Sequence, residues 1–249
     1  MNRIKYVAAR WLATTVTSLR SPDLSQVGTR VLMFHDINTD DSSSDLYSLP
    51  LSRFDSGLRA IAQWAAEHTR SFVQFSSVPR PGIAVTFDDG YKSTLTHAAP
   101  IFAALNIPFH IFLTQSYVAG VDERFLRPTD IRELCSIPGV SFGVHGVSHQ
   151  RLTNLHPDQV RVEIQQSRDW LEQLIGKPVT SLSYPHGEFN STVSTIVEEC
   201  GVLSAACSRI GTFMNVKEAL HIPRIDIWAH DRQNVFLQKT LGAWDRLLP

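Results

Sequence analysis

Two adjacent carboxylates, Asp88 and Asp89, close a short apolar and β-branched run, Ile83-Ala84-Val85-Thr86-Phe87, and are followed by Gly90 and Tyr91. Further along, Gly139-Val140-Ser141-Phe142-Gly143-Val144 leads into His145-Gly146-Val147-Ser148-His149. Alone, Asp-Asp-Gly is an ordinary turn, and an isolated His-x-x-x-His is as often a surface turn as a metal site. A carboxylate pair and a histidine pair, each ending a buried strand, are instead what a small metal site on one rim of a sheet or barrel needs. Two imidazoles and a carboxylate are the ligand set of an open catalytic zinc site, with a position left for water; cobalt, nickel or iron suit similar ligands. Successive side chains of a strand alternate faces, so Asp88 and Asp89 cannot both face one metal from regular strand. Past the strand end they diverge, and one can bind metal while the other takes a proton from an acidified water. The spacing of His145 and His149 predicts both on one face of a helical turn.

The elements that must position these groups alternate along the chain. Candidate strands are residues 30–34, 83–87, 109–113, 139–144, 179–184, 202–207 and 222–227, and helical periodicity covers 51–69, 95–105, 128–135, 158–175, 192–200 and 234–248. Connections too long for hairpins imply parallel βαβ units in one domain. In a parallel barrel the C-terminal strand ends share a rim where functional residues gather. His35, the Asp88-Asp89 pair, His145 with His149, Tyr184-Pro185-His186 and Asp226 all fall at such ends.

Taken in order, Thr86-Phe87-Asp88-Asp89-Gly90, His145-Gly146-Val147-Ser148-His149 and Tyr184-Pro185-His186-Gly187 resemble the polysaccharide deacetylases, the NodB-homology family of carbohydrate esterases (family four). The likeness runs over about residues 30–230. It implies a single-domain α/β fold, a distorted (β/α) barrel of usually seven strands, and metal-dependent removal of N-acetyl, occasionally O-acetyl, groups from sugars. By position, Asp88 would be the general base, and Asp89, His145 and His149 would hold the metal, zinc by default. The motif after the next strand departs from the family's: Ser183-Tyr184-Pro185-His186-Gly187 lacks the arginine that braces the base, and His186 replaces a tyrosine. The His186 backbone N–H remains available as an oxyanion donor, and Arg224 is the candidate brace. No Leu-x-x-His motif follows residue 230; instead Met33-Phe34-His35-Asp36 resembles the N-terminal motif of a permuted subgroup that deacetylates poly-N-acetylglucosamine. That makes His35 the acid for the departing amine, with Asp226 orienting it by a hydrogen bond. Two other functions stay open: hydrolysis of another non-peptide C–N bond on the same scaffold, and a catalytically silent carbohydrate-binding module. A binding module has no need of the base.

Bulk properties narrow the field. The 249 residues carry a formal charge of −1, so nothing suggests nucleic acid as a partner. The cysteines, Cys135, Cys200 and Cys207, have no zinc-like spacing and read as reduced, mostly buried thiols. Residues 1–22 read as a retained N-terminal amphipathic helix, through Ile4, Val7, Ala8, Trp11, Leu12, Thr15, Val16 and Leu19, with the barrel over 23–249. No cleavable signal or spanning stretch is evident, which favours a cytoplasmic enzyme acting on a precursor, with peripheral membrane docking as the alternative. Trp64, Trp170, Trp228 and Trp244 read as packing residues, Trp228 with stacking on a sugar as its second reading.

Overall fold

The computed structural model describes residues 27–40 and 44–245. The helix expected over 1–22 and the last residues of the C-terminal helix lie outside them. The strands are β1 (Thr29–Phe34), β2 (Asp36–Asn38), β3 (Ser48–Pro50), β4 (Gly82–Phe87), β5 (Phe109–Leu113), β6 (Val140–Val144), β7 (Ser181–Ser183), β8 (Ser204–Ala206) and β9 (Ile225–Asp226). Seven of them form one sheet in the order β8-β7-β6-β5-β4-β1-β9, and every pairing in it is parallel. The sheet curls into a half-barrel, as expected. A single parallel bridge, Ala206 to Ile222, draws the segment before β9 towards the far edge. The short pair β2–β3 stands apart and carries the loop after β1.

The α-helices are α1 (Leu51–Glu67), α2 (Ala99–Leu105), α3 (Gln115–Ala119), α4 (Pro128–Cys135), α5 (Pro157–Ile175), α6 (Ser191–Glu199) and α7 (Gln233–Leu241). The single helix expected over 95–105 begins as a π-turn, Thr94–Ala98. There Ala99 N–H reaches back to Thr94 O, and Pro100, which has no N–H, cannot support a tighter turn. The last strands are also shorter than expected, because their ends turn inward to form the site. The long helix α5 ends as its sequence suggests, on Gly176 in the left-handed region (φ 68°). Gly57 lets α1 seat on α7: a Cβ there would lie 2.5 Å from the Phe236 ring.

Strand alternation divides the core. Leu32, Phe34, Ile83, Val85, Phe87, Phe109, Ile111, Leu182 and Ile225 point outward into the main apolar core, under the helices. Within it aromatic rings meet edge to face, as Phe34 does with Phe54 (5.3 Å, 87°), each such pair adding about 0.5–1.5 kcal/mol beyond its buried area. The opposite parity faces the concave side, where Val31, Ala84, Phe112 and Ala206 form a smaller cluster. His35, Asp88, His145, Ser183, Arg224 and Asp226 share that concave parity, so the backbone alone aims them into one hollow.

Candidate active site

The site is built where β4 ends. Asp88 N–H still bonds Phe34 O across to β1 (3.0 Å), but the chain then turns, with Asp89 at φ 71° and Gly90 at φ 87°. A left-handed aspartate is unusual though tolerated; here it swings the Asp89 carboxylate away from that of Asp88. His145 continues β6, its N–H on Leu113 O (2.8 Å). Its Nδ1 lies 2.8 Å from Ser183 O. A carbonyl only accepts, so Nδ1 carries the proton and Nε2 presents a lone pair.

The helical turn expected over His145 to His149 is not what the chain adopts. Gly146 (φ 79°) and His149 (φ 60°) bend it into a loop, and Glu163 of α5 fixes that loop. The Glu163 carboxylate accepts Val147 N–H (2.7 Å), Ser148 N–H (2.9 Å) and the Ser148 hydroxyl (2.6 Å). A helical turn would have spent these donors internally; a buried carboxylate takes them instead. The result brings His149 Nε2 to 3.2 Å and His145 Nε2 to 3.6 Å from Asp89 Oδ1.

One ligand atom from each of Asp89, His145 and His149 lies within 4.8 Å of the others. The electrostatics fit a cation. Burial pushes the His145 imidazole down, against the opposing pull of Asp88 and Asp89, so it is neutral. Its Nε2 lone pair therefore faces acceptor oxygens with no proton between them, and Asp89 Oδ1 is buried without a hydrogen-bond partner. Converging lone pairs repel unless a positive ion sits among them.

Asp88 is held differently. Arg224 Nη1 donates to Oδ1 (2.7 Å) and Nη2 to Oδ2 (2.8 Å), a two-pronged clamp. Arg224 also donates to Ser183 Oγ (2.8 Å), Thr86 Oγ1 (3.3 Å) and Cys207 O (3.3 Å), and Ser183 Oγ in turn donates to Asp88 Oδ2 (3.0 Å). Burial would raise the Asp88 carboxyl, but the charge and hydrogen bonds of Arg224, with His145, hold it well below the usual carboxylate range. Asp89 is likewise lowered against its burial, through His149, His145 and His35.

His35 stands close enough to lower both carboxylates. Its ring meets that of Tyr47 at 4.6 Å. The hydrogen bond expected from Asp226 is not made: among the described residues neither His35 Nδ1 nor Asp226 Oδ1 has a partner. Asp226 is nevertheless coupled to His35 by charge, while burial dominates and raises its carboxyl. His186 sits at φ 61°, its ring 4.6 Å from that of His149 and its Nε2 3.2 Å from His149 O. Tyr184 belongs to the core, its hydroxyl donating to Leu220 O (3.0 Å). Trp228 packs under Lys239, whose Nζ lies 4.1 Å from the ring centre.

The polysaccharide deacetylase family model matches residues 76–205, more than half of the 249-residue chain. The chain belongs to the polysaccharide deacetylase family. It is 24% identical over 179 residues to the YxkH protein of Bacillus subtilis (strain 168), a match covering 69% of this chain. The chain spans 61% of the length of that curated relative. The Streptococcus pyogenes deacetylase PplD, solved with acetate, superposes with a TM-score of 0.76 at 20% identity, over 86% of this chain and 99% of PplD. IcaB from Ammonifex degensii does so at 0.71 and 20%, over 87% and 97%. At such identities the likeness is one of fold.

Within this family member, the sequence reading missed Glu163 and the hydroxyl of Ser183. A signal for the first existed: Glu163 interrupts the apolar stripe of α5 between Val160 and Ser167, where a charge needs buried partners. Among the described residues no helix is long and apolar enough to cross a membrane.

Proposed function

We propose that this chain is a metal-dependent deacetylase that hydrolyses the N-acetyl group of an amino sugar in a polysaccharide, oligosaccharide or lipid-linked glycan. The observation that carries the reading is the division of labour between neighbouring carboxylates. Asp89 is grouped with two neutral-capable imidazoles as a ligand set, while Asp88 is clamped by Arg224 and kept ionised at the same rim. A divalent cation held by Asp89, His145 and His149, with zinc the first choice and cobalt, nickel or iron alternatives, would polarise the acetyl carbonyl and acidify the attacking water. Asp88 accepts that water's proton; so depressed a base needs an acidified donor. The His186 backbone N–H is assigned to the developing oxyanion. His35 delivers a proton to the departing amine, with the Asp226 charge beside it favouring the protonated imidazole.

Acetate release from N-acetylglucosamine oligomers tests this. Protein stripped with a chelator should be inactive and regain turnover with zinc or cobalt. Asp88→Asn should lose turnover by about 10²–10⁴-fold yet keep its metal, and His149→Ala should lose both. Turnover retained in Asp88→Asn would overturn the assignment of the base. Metal-bound protein that releases no acetate from any acetylated sugar, but hydrolyses a formamide or cyclic imide, would favour the second C–N hydrolase.

A further inference from the structure

Beside the site lies a cavity of about 380 Å³ that shares Asp89 with it and is otherwise lined by Tyr91, Tyr117, Val121, Arg124 and Phe125, among others. Three of its residues form a stack. Phe125 is 4.4 Å from Tyr117 (26°) and 4.8 Å from Tyr91 (36°). The stack continues towards the metal ligands: Tyr117 meets His149 at 5.7 Å, and His149 meets His186 at 4.6 Å. Among the described residues, Tyr91, Tyr117 and Phe125 belong to neither apolar core. Aromatic rings gathered outside the core, half-exposed, are not there to stabilise the barrel interior.

The loop that carries them is pinned to the catalytic turn. Leu126 N–H bonds Gly90 O (2.9 Å), Lys92 N–H bonds Arg124 O (2.7 Å), and Tyr91 and Phe125 form an antiparallel bridge. Arg127 donates to Gly120 O and to Val121 O from the next helix. A rigid aromatic wall, flush with Asp89 and flanked by the exposed Asp122–Arg124 ion pair, offers flat apolar faces and polar edges together. That is the chemistry of a pyranose ring, whose C–H faces lie on aromatic rings while its hydroxyls bond charged groups.

We infer that the Tyr91–Phe125–Tyr117 wall is a subsite for a sugar residue adjoining the one deacetylated, so that the substrate is a glycan chain and not a monosaccharide. This rests on the deacetylase reading and extends it to substrate length. The volume suits one further ring, being at the small end of ligand pockets. The direction also follows: the chain runs from His186 and His149 over Tyr117 towards Tyr91.

The test compares N-acetylglucosamine with its β-1,4- and β-1,6-linked dimers to pentamers, in the zinc-loaded full chain. Acetate release should rise in kcat/KM between monomer and the longer chains. Tyr117→Ala and Tyr91→Ala should each raise KM for the tetramer about tenfold, with little change in kcat or in the monomer rate, and Tyr→Phe at either position should restore KM. A purely structural role would lower Tm and kcat for every substrate alike. Tetramer binding to Asp88→Asn protein, by calorimetry, separates the two levels of the proposal. Acetate release with no dependence on Tyr91, Tyr117 or chain length overturns the subsite and leaves the deacetylase standing. Tetramer binding weakened by both alanine variants, without acetate release, supports the subsite and sinks the deacetylase. Neither binding nor release overturns both.

Discussion

At the scale of single residues, a buried arginine has moved from one strand to another. The family motif carries the brace where this chain has Ser183, and the guanidinium arrives instead from Arg224, just before β9. Ser183 is short enough to leave room for it and accepts one of its N–H groups. Arg224 is almost wholly enclosed, and so is Asp88. Removing one partner of such a pair leaves an uncompensated buried charge, at about 3–5 kcal/mol, which for a chain of this length is roughly 10 °C in melting temperature. Arg224→Ser should therefore melt roughly that much lower. The double variant Ser183→Arg with Arg224→Ser should recover part of the loss, because an arginine from position 183 reaches the space the first one vacates. Thermal melts of the three proteins check this; a double variant that melts below Arg224→Ser would show that only β9 can deliver the brace.

At the scale of elements, the histidine loop depends on a helix it does not touch through the ligands themselves. Glu163 holds three donors of the loop, and Gly146 must be glycine in part because a Cβ there would lie 2.9 Å from Glu163 Oε2. Glu163→Ala should weaken zinc binding about 10–100-fold, the usual cost of losing an outer partner of a metal site, measured by competition with a chelating dye. Glu163→Gln, which keeps one acceptor, should fall between. A lowered melting temperature with unchanged zinc affinity would make Glu163 a packing residue alone. The same loop shows what sequence can and cannot reveal. Continuous apolar runs made β1, β4, β5 and β6 readable, and their ends supplied the residues of the site. Strand parity, with period two, separates the concave residues from those under the helices. The left-handed residues Asp89, His149 and His186 carry no local mark, since nothing in their neighbours demands a positive φ. That is why a helical turn was expected at His145–His149 and a direct bond at His35–Asp226. Arg224 was visible as a charge inside an apolar strand run; the aromatic wall was not, because Tyr91, Tyr117 and Phe125 come from different loops.

For the whole molecule, the concave face is the unusual part, because it encloses polar groups where a barrel interior would normally be apolar. His110 is the clearest case among residues outside the site. Its ring lies between Phe75 (5.1 Å) and Phe112 (4.5 Å), with Nδ1 2.6 Å from Ser141 Oγ and Nε2 2.9 Å from Ser181 Oγ. Burial dominates its ionisation: with Asp88 opposing and Arg224 adding, the imidazole is pushed down to about 3. Unfolded, the same side chain titrates near 6.5. Between those values the unfolded chain binds the proton and the folded chain does not, so stability must rise with pH across that window and fall as pH drops below about 6.5. A single group of this kind contributes a slope of up to about 1.4 kcal/mol per pH unit. Carboxylates held below their usual range, such as Asp88, add their own loss only as pH falls through about 4 and lower, which leaves pH 5–7.5 to the buried imidazoles. Replacing His110 by asparagine, which can still bond a serine hydroxyl, removes this proton linkage. The difference in unfolding free energy between pH 7.5 and pH 5, from denaturant titrations with chelator present, should then shrink by about 2 kcal/mol relative to the unaltered chain. An unchanged difference would mean that His110 accepts its proton in the folded state, one of the serines turning its oxygen to receive the second N–H, and that the concave face is more permeable to charge than its burial implies.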